Sequence, residues 1–173
     1  YSSAASDVYK RQTFNSGFIP ENHWVHDRKI GGGRIIGEAC HHIDLMRFLC
    51  GEKITKINSS FLKGGQLDTA ILTLKFEDGS IGSINYFSNG SKSYAKEDIK
   101  IFCEEKILHL DNFKALYGYG WNNFKKLKLF SQDKGQAQCL IEFIDSIKNG
   151  SPSPIPFDEI YEVSKYSINA AKN

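Results

Sequence analysis

The stretch LDTAILTLKFEDGSIGSINYF, residues 67–87, decides the fold class. Ala70, Leu72, Leu74 and Phe76 alternate with Ile71, Thr73 and Lys75, which predicts a strand over Leu67–Phe76 with one apolar face. Asp78-Gly79 is a hairpin turn signal, and Ile81–Phe87 is the returning strand. The neighbouring segments extend the pattern. Ile54–Leu62 is rich in β-formers and ends at Gly64-Gly65, Asp98–Cys103 and Lys106–Leu110 form a second short hairpin, and Lys126–Phe130 supplies a last strand.

Helices flank these strands. Ala39, Ile43, Met46 and Cys50 recur as one buried stripe on a helix over Gly37–Leu49, stopped by Gly51 at the position that favours a left-handed backbone. Ala137, Leu140, Ile141, Ile144 and Ile147 share a face of a second helix that ends at Asn149-Gly150. A third runs from Asp158 to about Ala171, after the loop SPSPIP. Antiparallel strands flanked by helices predict an α+β fold, an open, mostly antiparallel sheet covered by helices on one face. Thr13–Gly33 reads as loop.

Composition narrows the function. The 173 residues are 40% hydrophobic and 13% aromatic, enough for one domain with a core and too apolar for a disordered chain. With 22 basic against 20 acidic residues, charge gives no case for nucleic acid or a membrane surface. LYGYGWNNFKKLKLF mixes aromatics with lysines, but without a basic excess it reads as a partly buried sheet edge. No apolar run approaches a membrane span, and the first dozen residues lack a secretory core. Cys40, Cys50, Cys103 and Cys139 form no CxxC pair and read as reduced thiols, which points to the cytoplasm.

Residues 1–12, YSSAASDVYKRQ, show neither helical nor strand periodicity. From Ser2 to Gln12 they resemble, residue for residue, one reading frame of the adapter and transposon end of tagmentation sequencing libraries. That reading makes 1–12 an artefactual tail with few buried contacts and 13–173 the domain. A polar N-terminal tail is the alternative.

Four of the five histidines, His23, His26, His41 and His42, lie around the run GGGRIIGEACHHID, residues 31–44. On the predicted helix Glu38 stands three residues before His41 and four before His42, so it can share a face with either imidazole. A carboxylate beside an imidazole raises its pKa and fixes its tautomer, which suits a general acid/base. Gly31-Gly32-Gly33 would let a substrate or cofactor approach the backbone. Two other readings remain open. These are surface histidines at a helix start, or His23, His26, Cys40, His41, His42 and Asp44 contribute a zinc site; the run has no zinc-finger spacing or HExxH. No GxGxxG or GxxxxGK[ST] loop is present for a nucleotide.

GGGRIIGEACHHIDLMRFLCG resembles the motif GGGxxxDxGxHxxD at the start of the C-terminal domain of Gfo/Idh/MocA oxidoreductases. The resemblance continues through EDGSIGSINYFSNG, IFCEEKILHLDN and DKGQAQCLIEFIDSIKNGSPSPIPFDEI. FIPENHWVHD is similar to a branch with IPxxHW before GGGRIIGE, some of whose members are fused to an alcohol-dehydrogenase-like region. The resemblance places the catalytic histidine at His41 and the following helical aspartate at Asp44. The catalytic aspartate falls at Gly37, where this sequence departs, with Glu38 as its neighbour.

The resemblance implies a two-domain enzyme whose Rossmann domain, absent from these residues, binds NAD or NADP and contributes a lysine. The sheet domain would hold a sugar, inositol or related polyol and build a homo-oligomer through its open face. His41 would move the hydroxyl proton, oriented by Glu38. His23, Trp24, Arg34 and His42 are the candidate substrate contacts, with Trp24 a pocket wall; Asp44 and His109 are read as structural. The Gly37 substitution keeps a non-catalytic sugar-binding or assembly module as the second reading.

Overall fold

A computed structural model describes residues 8–63 and 68–172. In chain order the strands are β1 (Tyr9–Asn15), β2 (Ile54–Phe61), β3 (Ala70–Phe76), β4 (Ile81–Phe87), β5 (Glu97–Cys103), β6 (Lys106–Asp111), β7 (Ala115–Tyr119) and β8 (Lys126–Lys128). The helices are α1 (Cys40–Cys50), α2 (Gln136–Lys148) and α3 (Phe157–Ala170). All eight strands form one sheet in the order β2-β3-β4-β1-β5-β6-β7-β8. Among the described residues only the β1–β4 pair is parallel; every other pair is antiparallel.

The alternation in β3 does what its pattern requires. Leu72 and Leu74 are fully buried and pack with Ile84 and Tyr86 of β4 against Ile43 and Met46 of α1, with Val163 and Ala170 of α3 closing the layer. Each large aliphatic side chain removed from water in this way contributes roughly 1.5–3 kcal/mol. Arg47 of α1 reaches Glu162 of α3 at 3.4 Å and Glu159 at 3.8 Å, which ties the two helices over the sheet. The fold is therefore α+β with an open, mostly antiparallel sheet. On the uncovered face Tyr9, Ile81 and Phe102 stand in register across three strands and remain exposed. His109 lies on that face too, with Nε2 at 2.7 Å from Asp98.

Three expectations need correction. Tyr9–Gln12 do not stand outside the domain: they form the first part of β1, between β4 and β5 at the centre of the sheet. The pattern hid this because the inward positions are polar, with Lys10 at 1% and Gln12 at 0% exposure. Strand pairing itself uses only the main chain. Tyr1–Asp7, Leu67 and the Gly64-Gly65 turn lie outside the described residues. Second, the 13–33 segment is not all loop, since β1 runs to Asn15 and Trp24–His26 form a 3-10 turn. Third, the first helix begins earlier than Gly37, because Ile35–Ala39 wind as a π-helical turn that runs into α1. An extra strand, β7, also appears where the sequence showed only a sheet edge.

Helix α2 stands apart. None of its residues is buried within this chain, although Leu140, Ile141, Phe143, Ile144 and Ile147 are apolar. The four cysteines are all free thiols. No helix among the described residues is long and apolar enough to cross a membrane.

Candidate active site

A cavity of about 800 Å³ lies where the N-terminal end of α1, β1, the start of β5 and α2 face one another. The π turn and the first turn of α1 supply Glu38, His41 and His42 to its wall. Single π turns shift the register of a helix and recur at functional sites. Strand β1 contributes Gln12 and Phe14. Lys96, Glu97, Lys134, Leu140 and Phe143 line the opposite side.

The two histidines differ sharply. His41 is exposed and open to the cavity. His42 is buried, its ring centroid 4.0 Å from that of Phe14 and its Nδ1 2.6 Å from Nε2 of Gln12. Burial, with the nearby His41, Lys96 and Lys134, pushes its pKa down to about 3, so His42 is a neutral wall of the cleft.

Glu38 is not bonded to either histidine. Its Oε1 accepts from Arg34 Nε at 3.2 Å, and its Oε2 accepts from Arg34 Nη2 at 3.3 Å and from the Tyr86 hydroxyl at 2.8 Å. Burial alone would raise the carboxyl, but the Arg34 and Tyr86 hydrogen bonds outweigh it and hold Glu38 below its ordinary value. The i, i+4 spacing that could bring Glu38 to His42 brings it to Arg34 instead, one turn back.

Arg34 is therefore committed. It is 2% exposed, and besides Glu38 it donates through Nη1 to the Gly17 carbonyl at 2.8 Å and stands 3.6 Å from Asp68. Tyr86 is pushed above its ordinary value by burial. Asp44 is raised by burial, against the opposing charge of His41.

His23 and Trp24 are not brought to this cavity. They are exposed, pack on each other at 5.6 Å between centroids, and His23 Nδ1 accepts from Val25 N at the start of the 3-10 turn. His26 and Arg34 line a second cavity of about 420 Å³, away from His41. No group of three or more His, Cys, Asp or Glu side chains among the described residues is arranged to hold a metal ion. Sequence reasoning missed Phe14, Tyr86, Lys96, Glu97 and Lys134. Only the inward register of Tyr86 in β4 could have pointed to one of them.

Gly32 and Gly33 line the second cavity, whereas Gly31 packs against its own chain. A Cβ on Gly31 would stand 2.6 Å from Val25 Cα and 2.7 Å from the Trp24 carbonyl oxygen, so this glycine lets the chain approach its own backbone. Gly32 and Gly33 take positive φ of 70° and 86°. Among the described residues no strand leads directly into this run.

The family model for the GFO/IDH/MocA C-terminal domain matches residues 6–109. The chain belongs to the GFO/IDH/MocA family. Within the GFO/IDH/MocA proteins it is 23% identical to the myo-inositol 2-dehydrogenase of Thermotoga maritima over 142 residues, 73% of this chain and 42% of that protein. The fold matches UDP-N-acetylglucosamine 3-dehydrogenase from Acidithiobacillus ferrooxidans with TM-score 0.77 at 16% identity, covering 96% of this chain and 53% of the other. It also matches levoglucosan dehydrogenase, solved in complex with NADH, with TM-score 0.76 at 16% identity, covering 94% of this chain and 55% of the other. The GFO/IDH/MocA domain described here thus spans about half the length of these relatives.

Proposed function

We propose that this domain is the substrate-binding and proton-handling half of an NAD(P)-dependent oxidoreductase that acts on a sugar, inositol or related polyol. The observation that carries the reading is His41, an exposed imidazole at the start of α1 that faces a cavity of about 800 Å³ lined by carboxylates and lysines. The relatives' names, a myo-inositol dehydrogenase and two sugar dehydrogenases, give the substrate class.

A nicotinamide held by a separate nucleotide-binding domain would supply hydride exchange; the residues of this chain handle the substrate and its proton. His41 takes the proton of the hydroxyl that becomes a carbonyl and returns it in the reverse reaction. Glu38, held by Arg34 and Tyr86, anchors the turn that leads into α1 and so positions His41 from behind rather than pairing with it. His42 and Phe14 form the apolar floor that places the substrate. The protein is cytoplasmic, and the exposed apolar row on the open sheet face joins two copies.

One observation favours the second reading, a sugar-binding or assembly module. Gly37 stands where the family motif has its aspartate and leaves no side chain there. Turnover separates the two. The full-length protein that carries this domain should reduce NAD or NADP in the presence of myo-inositol or levoglucosan, followed by nicotinamide absorbance. His41→Ala should lower turnover by about 10²–10⁴-fold with cofactor affinity unchanged. Polyol binding with no turnover by the intact protein would establish the module instead.

A further inference from the structure

The wall of the cleft opposite His41 carries a carboxylate that the protein itself does not satisfy. Glu97 opens β5 and sits beside Phe14 in the β1–β5 register, so it faces the helix-covered side of the sheet. It is 5% exposed and lines the cavity. Its Oε1 accepts from Lys134 Nζ at 2.8 Å. Its Oε2 is buried, and no protein donor among the described residues reaches it.

A buried carboxylate oxygen without a donor is costly, and such orphans in native folds mark places where something else completes the hydrogen bonding. Glu97 lines the cavity, and a partner supplied from there would be a donor, because a carboxylate oxygen accepts. Lys134 meanwhile has donors to spare beside that oxygen. Lys96, the neighbouring residue, carries its ammonium over the Phe14 ring at 5.0 Å and makes no ion pair among the described residues. An acceptor flanked by donors matches the hydroxyl group, which gives one hydrogen and receives others.

We infer that Glu97 Oε2, with Lys134 alongside, is a hydroxyl-recognition subsite that accepts a hydrogen bond from a substrate hydroxyl other than the one oxidised. It selects polyhydroxylated ligands with a free hydroxyl donor at that position over ethers and deoxy analogues of the same shape. This inference rests on the polyol reading of the cleft.

The test is binding, read by saturation-transfer NMR titration of the full-length protein that carries this domain with myo-inositol and with levoglucosan. Glu97→Gln keeps the shape and removes the charge; Glu97→Asp keeps the charge and withdraws it from the cavity. Thermal unfolding followed by circular dichroism confirms that each variant is folded. The wild type should bind at least one of the two polyols, and each variant should weaken that binding about tenfold, the scale of a hydrogen bond to a charged group. Hexa-O-methyl-myo-inositol, which has no hydroxyl to donate, should not compete. Unchanged affinity in both variants, or competition by the methylated compound, overturns the Glu97 subsite and leaves the proposed function standing. A wild type that binds neither polyol overturns both.

Discussion

Tyr86 donates its hydroxyl hydrogen to Glu38 across 2.8 Å, from the middle of the sheet to the turn that leads into α1. With Arg34 on the same carboxylate, this bond fixes the beginning of the helix that presents His41. The charged state of Glu38 is thus set by the fold before any substrate arrives.

Removing Arg34 should be the most damaging change in this group. Arg34→Met leaves Glu38 and Asp68 without their shared cation, and loss of one partner of a buried ion pair typically costs 3–5 kcal/mol. Glu38 is partly open to water, so about 3 kcal/mol is expected in urea unfolding at neutral pH. Tyr86→Phe removes a single bond to a charged acceptor and should cost about 1.5–3 kcal/mol while raising the Glu38 pKa. A stable Arg34→Met protein with wild-type unfolding would contradict the described network.

Acid should destabilise the domain through His42. Its folded pKa lies at about 3, below the unfolded value, so the unfolded chain binds the extra proton between about pH 6.5 and 3. Stability contributed by neutral His42 is complete above that window and declines as pH falls through it. The slope is up to about 1.4 kcal/mol per pH unit. His42→Phe, packed against Phe14, should flatten the profile between pH 7 and 5. Equal slopes in the two proteins would show that His42 titrates normally.

Strand β1 should be improvable. Lys10 and Gln12 occupy inward positions where their neighbours in the sheet are apolar, Lys10 with its ammonium 5.4 Å from the Phe76 ring and its charge acting on Asp78. Replacing both by Val should raise stability by about 1–3 kcal/mol, seen as a higher thermal midpoint. A lower midpoint would mean that the Gln12–His42 contact outweighs the burial of two polar side chains.

Gly31→Ala should unseat the 3-10 turn, since no Cβ fits 2.6 Å from Val25 Cα. About 1–3 kcal/mol is expected, the usual cost of an overpacked site. Faster amide exchange at Val25 and Gly33 would localise the damage there.

The open sheet face should hold two copies together. Phe102→Glu places a charge beside Tyr9, whose ring lies 5.9 Å from that of Phe102. If the face joins copies, light scattering should report a dimer for the wild type and a monomer for the variant. A monomeric wild type at micromolar concentration would dismiss this interface.

Where the chain could be read from its residues, the reason is local. Asp78-Gly79 makes its turn with Gly79 at φ 86° and Asp78 accepting from Ser80 N at 2.9 Å, chemistry written entirely within the turn. Ala39, Ile43 and Met46 are buried as their spacing required. His41 was legible through its motif and lines the cleft. Strand β1 was not, because its inward residues are polar and its partners lie far along the chain. Glu38 was found but given the wrong neighbour, since spacing along a helix cannot say which of two turns its carboxylate will face. Glu97 carried no signal at all. Its importance comes from what surrounds it, and those groups arrive from β1 and the loop before α2.

The position of β1 has a consequence for how the molecule assembles. Strands β2-β3-β4 form one run of adjacent antiparallel strands and β5-β6-β7-β8 another, each of which can zip from its own turns. The two runs meet only across β1, which pairs with β4 on one edge and β5 on the other. Both of its pairings are long-range, joining residues 9–15 to strands about 70–90 positions later, and contacts of that separation slow folding. Burying β1 between two runs also leaves neither of its edges open to a neighbouring molecule.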